Sequence, residues 1–229
     1  MTSESIDIIN AFALLTNFVI LPALSYGSQL ALGALAVTLV YSILRFSNFA
    51  QGDSMSFGTM LVILISGYMI SRGWTITGVP TALLAIPMAL IGMSIYLLTM
   101  DRLVYRHYRR IKAKQNIIGI TASIGIMFVT GGIVRFVLGA SPKRFGDGER
   151  FIFSVREFKA FTGLEQGIAL KTSQFLTITI ALLLVSFLFY FLQKTKTGKA
   201  MRAYSDNEEL ALLSGIDPDK VVQITWLLV

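Results

Sequence analysis

Amide and carboxylate side chains interrupt an otherwise apolar part of the chain near residue 50. Such groups can hydrogen-bond the polar ends of a small solute, and an ionisable side chain inside a membrane is costly enough to be functional by default. Two hydroxyls in a later apolar run could join them, or could instead bond back to their own helix. The candidates for a solute path are Asn48, Gln51, Gly52, Asp53, Thr121 and Ser123.

The residue types of the chain argue against catalysis. The chain has no cysteine and a single histidine, His107, whereas a catalytic metal needs several ligands close together. The sequence contains no Gly-x-x-x-x-Gly-Lys-Ser/Thr motif, so we do not expect the chain to hydrolyse ATP. The sequence therefore predicts a protein that is not an enzyme and that holds no metal and no cofactor of its own.

Composition places these residues in a membrane protein. Of 229 residues, 54% are hydrophobic and only 14% are charged, against about 25% charged in soluble domains. The apolar runs are continuous, which disfavours a β-barrel, and they approach or exceed the roughly 18–20 residues of a membrane-spanning helix. We predict an all-α polytopic membrane protein with about six complete spans, forming a single transmembrane domain over residues 1–229. The runs are 8–24, 27–44, 55–71, 79–100, 116–138 and 173–192, with a break predicted at Tyr26-Gly27.

Charge placement predicts the orientation. Lysine and arginine concentrate in residues 101–114 and 193–220, and two predicted spans separate these segments, so both fall on one side. By the positive-inside rule that side is cytoplasmic, and the loop 139–171 is external. Counting back through the spans puts the N-terminus inside and residues 45–54 near the cytoplasmic side. Those residues form either an interfacial turn or a helix break at membrane depth.

The segment 193–220 contains signals for a short helix of roughly two turns. Ser205 and Glu208 have the spacing of a capping box, and Gly215 is placed to end the helix in a left-handed conformation. Asp217 followed by Pro218 predicts the start of another helix. This polar helix would lie on the cytoplasmic face, where a partner can dock.

Four motifs in order, covering about residues 27–229, resemble those of branched-chain amino acid ABC transporter permeases. The first is the 27–41 segment followed by Asn48-Phe49-Ala50-Gln51-Gly52-Asp53. The second is Asp101-Arg102-Leu103-Val104-Tyr105-Arg106, and the third is Ile117 followed by Thr121-Ala122-Ser123-Ile124-Gly125-Ile126. The fourth runs from Gly198-Lys199-Ala200-Met201-Arg202-Ala203 through Ala211 and Ser214-Gly215-Ile216-Asp217 to Val221.

The resemblance implies a permease subunit of an ABC importer in the cytoplasmic (inner) membrane of a bacterium or archaeon. Its partners would be a second, homologous or identical permease, two ATPase subunits that bind the ATP, and an external solute-binding protein docking near residues 139–171. No nucleic acid is expected. The short C-terminal helix becomes a coupling helix, with ATPase contacts at Arg202, Ala203, Asp206, Glu208, Ala211 and Gly215.

The substrate expectation covers several solutes. The family usually has histidine where this chain has Gln51, and glycine where it has Ser42. The expected substrates therefore include other amino acids, urea and short amides as well as branched-chain amino acids. A self-contained secondary transporter or channel for a small polar solute is the alternative. Residues 221–229 are too short to cross a bilayer, and we expect the natural chain to continue beyond Val229.

Overall fold

A computed structural model of the chain describes residues 3–76, 79–110, 116–139, 141, 143, 151–162 and 166–229. Parts of the predicted basic segment and of the predicted external loop therefore lie outside the described residues. The helices are α1 (Ser3–Leu15), α2 (Leu21–Leu44), α3 (Gln51–Ser71), α4 (Thr81–Met100), α5 (Arg106–Arg110), α6 (Asn116–Leu138), α7 (Val155–Thr162), α8 (Thr172–Lys194), α9 (Lys196–Asp206), α10 (Glu208–Leu213) and α11 (Pro218–Leu228). Two strands, β1 (Phe151–Phe153) and β2 (Leu170–Lys171), pair antiparallel.

The first two predicted runs form one continuous helix. A π-helical turn, Thr16–Ile20, joins α1 to α2, and the Leu21 N–H closes it by donating to the Thr16 carbonyl. Pro22 follows this turn and has no N–H to donate to a carbonyl of the preceding turn. The wider π turn allows the helix to continue past Pro22. The predicted break at Tyr26-Gly27 is therefore wrong.

Five helices are long and apolar enough to cross a membrane among the described residues. They confirm the all-α polytopic class, with five candidate spans where six runs were predicted, because the first two runs are one helix. The candidates are Ile8–Leu44, Gln51–Ser71, Thr81–Arg109, Ile117–Leu138 and Thr172–Lys194.

The chain divides into two compact units, and the first comprises residues 1–34 and 148–193. Within it, the Asn10 side chain accepts a hydrogen bond from the Gln166 N–H at 3.2 Å, and Asn17 accepts one from the Ala169 N–H at 3.3 Å. The N-terminal helix thus lies against the loop predicted to be external. The predicted inside location of the N-terminus depended on two spans before residue 45. With one candidate span there, the same count from the predicted cytoplasmic segment 101–114 predicts an external N-terminus.

Helix α7 begins with a capping box. The Glu157 carboxylate accepts hydrogen bonds from the Ser154 N–H and hydroxyl, both at 2.9 Å, and the Glu157 N–H donates to Ser154 Oγ at 3.3 Å. These hydrogen bonds, the backbone one foremost, lower the pKa of Glu157. The helix exposes Phe161 (92%) beside its charged residues, so an aromatic side chain remains available on this side of the unit.

The second unit comprises residues 35–147 and 194–229. Helix α3 packs against α4 and α6, and α11 packs against α4 and α9. Between α4 and α5 lies a second π-helical turn, Asp101–Tyr105, which is closed by the Arg106 N–H donating to the Asp101 carbonyl. The candidate path residues and the C-terminal helices all belong to this unit.

Candidate solute path and cytoplasmic docking segment

Residues 45–50 form a short non-helical connection between α2 and α3. Asn48 and Gln51 are buried there. Asn48 Oδ1 accepts the Ala50 N–H and the Tyr105 hydroxyl, each at 3.1 Å, while Asn48 Nδ2 donates to Gln51 Oε1 at 3.4 Å. Asn48 Oδ1, Asn48 Nδ2 and Gln51 Oε1 thus bond within the protein and hold the connection in shape.

The two hydroxyl candidates on α6 bond to their own helix. Thr121 donates to the Ile117 carbonyl at 2.9 Å and Ser123 donates to the Ile120 carbonyl at 2.7 Å. Ser123 Oγ also accepts the Phe49 N–H at 3.1 Å. Of the two alternatives, the structure shows the bond back to the helix, and Ser123 additionally anchors the α2–α3 connection to α6.

Asp53 differs from its neighbours because its carboxylate is unpaired. It is half-buried in the first turn of α3, beside the exposed Gly52, and no hydrogen bond or ion pair joins it to another described residue. A methyl group on Gly131 of α6 would lie only 2.9 Å from Asp53 Oδ1. The carboxylate is thus held closely against the α6 backbone.

Aromatic side chains line the same layer. Phe57 and Tyr96 stack with their ring centroids 4.2 Å apart. The Tyr96 hydroxyl is hydrogen-bonded to that of Thr130, which itself donates to the Ile126 carbonyl at 2.7 Å. Either hydroxyl can be the donor in the Tyr96–Thr130 hydrogen bond. Sequence reasoning missed this layer, which joins residues from three helices.

The C-terminal segment is a series of three capped helices. Ser205 lies inside α9, so the predicted capping box with Glu208 is wrong, and Asn207 caps α10 instead. Gly215 follows α10 with φ of 80°, which confirms the predicted left-handed end. Asp217 caps α11 and Pro218 occupies its first turn, as predicted.

The outer face of α9 and α10 is exposed. Five of the predicted contact residues are on it, whereas Ala211 is only 3% exposed and packs inward. Leu213 is 85% exposed beside the acidic residues, and sequence reasoning missed it although a leucine in so short a segment cannot belong to a span. The five exposed residues are Arg202, Ala203, Asp206, Glu208 and Gly215.

Internal contacts hold this exposed face in place. The buried Tyr204 donates its hydroxyl to Glu208 at 2.9 Å, which joins α9 to α10. Burial, followed by the hydrogen bond and charge of Glu208, raises the pKa of Tyr204, so it remains a donor. The guanidinium of Arg45, a residue with φ of 61°, donates to the Ser205 carbonyl, and Ser205 Oγ donates to the Ser42 carbonyl at 3.3 Å. The ends of α2 and α9 therefore bind each other.

A buried ion pair connects α4 to the last helix. Asp101 is 2% exposed at the start of its π-helical turn. Arg109 donates to both carboxylate oxygens, at 2.6 and 3.0 Å, and Trp226 Nε1 of α11 donates to Asp101 Oδ1 at 2.9 Å. These contacts satisfy the buried charge, which would otherwise be strongly destabilising.

Asp219 extends the ion pair to the start of α11. Its carboxylate lies 2.7 Å from Arg106 and 3.5 Å from Arg109. Partial burial raises the pKa of Asp219, but the hydrogen bonds and charges of the two arginines together lower it by more, and the net direction is down. The docking segment is thereby tied to α4 through the Asp101 cluster, which we define as Asp101, Arg106, Arg109, Asp219 and Trp226.

The sequence matches a known family over residues 19–229, which is most of the chain. That family is described as "Branched-chain amino acid transport system / permease component". The chain belongs to this family. The earlier resemblance is thereby confirmed. No solved structure matches the chain significantly.

Curated relatives include transport permeases from bacteria and an archaeon, which agrees with the predicted location in the cytoplasmic membrane of such an organism. The high-affinity branched-chain amino acid transport system permease protein LivH of Salmonella typhimurium is 27% identical over 210 residues, covering 88% of this chain and 63% of the relative. The corresponding BraD of Pseudomonas aeruginosa is 23% identical over 208 residues, covering 90% and 64%. A probable LivH of Methanocaldococcus jannaschii is 27% identical, covering 90% and 60%. The chain spans less than two thirds of the length of these relatives.

Proposed function

We propose that this chain is a membrane-spanning permease subunit of an ABC importer for a small polar solute, such as a branched-chain or other amino acid, urea or a short amide. ATP binds to two separate ATPase subunits, and a second permease subunit and an external solute-binding protein complete the importer. The chain itself binds no ATP and catalyses no reaction. Family membership and the exposed C-terminal segment support this proposal.

The observation that carries the proposal is the exposed face of α9 and α10. A leucine that is 85% exposed stands beside two exposed glutamates, on a segment outside the candidate spans. The Asp101 cluster anchors α11, the next helix, to α4. A partner that moves α10 would therefore displace the α4 span as well, which suits a motor subunit that opens and closes.

The test compares Leu213→Ser with Phe161→Ser in the full-length chain. Both replace an almost fully exposed apolar side chain, one on α10 and the other on α7. We expect Leu213→Ser to weaken capture of the importer's ATPase subunits and to leave capture of the solute-binding protein unchanged. Phe161→Ser should weaken capture of the solute-binding protein and leave capture of the ATPase subunits unchanged. Unchanged ATPase capture by Leu213→Ser would contradict the docking role.

The alternative of a self-contained transporter or channel makes a different prediction. Purified full-length protein alone would then move solute into liposomes without ATP. We expect uptake only when ATPase subunits and ATP are both present.

A further inference from the structure

The carboxylate of Asp53 has no hydrogen-bond or ion-pair partner among the described residues. Charged side chains within membrane spans are rare and are generally paired. Its place in the first turn of α3 favours a carboxylate through the helix dipole, by about 0.3–1 kcal/mol. Half burial without a partner opposes this, because a charged side chain in a span is costly unless it is paired. The unpaired carboxylate therefore calls for a ligand.

The surroundings of Asp53 favour a cation. Phe57 lies four residues later and hence on the same side of α3, with its ring stacked on Tyr96. The Tyr96 hydroxyl is hydrogen-bonded to that of Thr130, and no hydrogen bond joins Tyr96 to Asp53 among the described residues. Aromatic rings near an unpaired carboxylate favour an organic cation through the ring faces that the stacking leaves open.

We infer that Asp53 is the cation-binding subsite of the solute path and receives the ammonium group of the transported solute. This inference rests on the proposed transport function. A protonated amine offers several N–H donors for charge-assisted hydrogen bonds to a carboxylate. A metal ion would need more oxygen or nitrogen ligands, and no group of three His, Cys, Asp or Glu residues occurs in the part of the chain that the structure describes. The inference selects amino acids over urea and short amides.

The position of the carboxylate is as important as its charge. Because Asp53 Oδ1 lies where a methyl group on Gly131 would meet it, Gly131→Ala should displace the carboxylate without removing it. Gly132 is the matched control, since a methyl group there meets nothing within 4 Å. Asp53→Asn removes the charge and keeps the shape.

The experiment uses proteoliposomes containing the complete importer, built with the full-length chain. Two probes are supplied with ATP: a labelled mixture of protein amino acids, all with a cationic amino group, and labelled acetamide with urea, which have none. We expect Asp53→Asn and Gly131→Ala to reduce amino acid uptake by about 10–100-fold, the loss of one charge-assisted hydrogen bond. Gly132→Ala should stay within about twofold of the wild type, and all variants should still assemble with the ATPase subunits.

The outcomes separate the two proposals. Amino acid uptake by Asp53→Asn at the wild-type rate would overturn the cation subsite and leave the importer function standing. So would a wild-type importer that moves acetamide or urea but no amino acid. A wild-type complex that moves none of the probes in an ATP-dependent manner would overturn the importer function, and the subsite with it.

Discussion

Two aspartates of the same unit, Asp101 and Asp53, have opposite environments. Asp101 is buried and accepts hydrogen bonds from Arg109 at both oxygens and from Trp226. Asp53 is half-buried and has no such partner among the described residues. Both lie in candidate spans, so the difference does not come from location in the sequence alone.

The contrast separates structural charge from functional charge. A buried ion pair is complete and fixes the helices that contribute to it, but it has no capacity left for a ligand. An unpaired carboxylate lowers the stability of the folded protein, but it can still bind a ligand. Removing the carboxylates in turn should therefore give effects on stability that follow how fully each is paired and buried.

The largest effect is expected for Asp101→Leu, which leaves Arg109 without its buried partner. We expect a loss of about 3–5 kcal/mol in the free energy of unfolding, measured by denaturant titration of the purified full-length protein. The double variant Asp101→Leu, Arg109→Met should recover most of it, since well-packed apolar residues often replace a buried ion pair without loss. A single variant as stable as the wild type would show that the contacts of Asp101 with Arg109 and Trp226 do not stabilise the protein.

A smaller effect is expected for Asp219→Asn, because that carboxylate is about one-third exposed. We expect about 1 kcal/mol or less. The pKa of Asp219 is lowered in the folded protein, so its stabilising contribution is complete above the ordinary value of 3.8 and disappears as the pH falls below it. Hydrogen exchange of the α11 amides, followed through acid pH, should show this loss in the wild type and not in Asp219→Asn.

Glu157 should have a local effect only. Its lowered pKa means that the capping box of α7 is complete above the ordinary value of 4.5 and weakens as the pH falls below it. We expect faster hydrogen exchange in α7 at acid pH, an effect that Glu157→Gln should largely abolish. An acid response spread over the spans would contradict this assignment.

The smallest effect on stability is expected for Asp53→Asn. Because the carboxylate has no partner to lose, only the helix-dipole contribution of about 0.3–1 kcal/mol disappears, and relief from burying a charge opposes it. Denaturant titration should therefore give a value close to that of the wild type. A destabilisation as large as that of Asp101→Leu would remove the contrast between the two aspartates.

Local signals in the sequence predicted the local features of the structure. The helix class, the left-handed Gly215 and the Asp217–Pro218 helix start all depend on residues within one or two turns of each other. The capping box failed at Ser205 because α9 continues through that residue, while Asn207 offers an equivalent cap two residues later. The Tyr26-Gly27 break failed because α2 continues through both residues.

The site could be predicted only in part. Asp53 was identified by its type, but its lack of a partner is visible only once α4 and α6 are placed around it. The Asp101 cluster was missed because Asp219 and Trp226 are far in sequence from its other members, and because Arg106 and Arg109 already had an explanation as cytoplasmic charges. Asp101 and Trp226 are separated by 125 positions, a distance over which sequence spacing carries no signal.

The π-helical turn between α4 and α5 determines the angular position, around the helix axis, of the residues that follow it. Asp101 and Arg109 are eight residues apart and nevertheless face each other, whereas eight residues of a regular α-helix end about 80° beyond two full turns. The turn accommodates one extra residue, so Arg109 stands where a seventh residue would. Deleting the exposed Leu103 should thus straighten the helix and still leave Asp101 opposite its arginine. A one-residue insertion at the same point would rotate the arginine away, so this turn should tolerate shortening far better than lengthening.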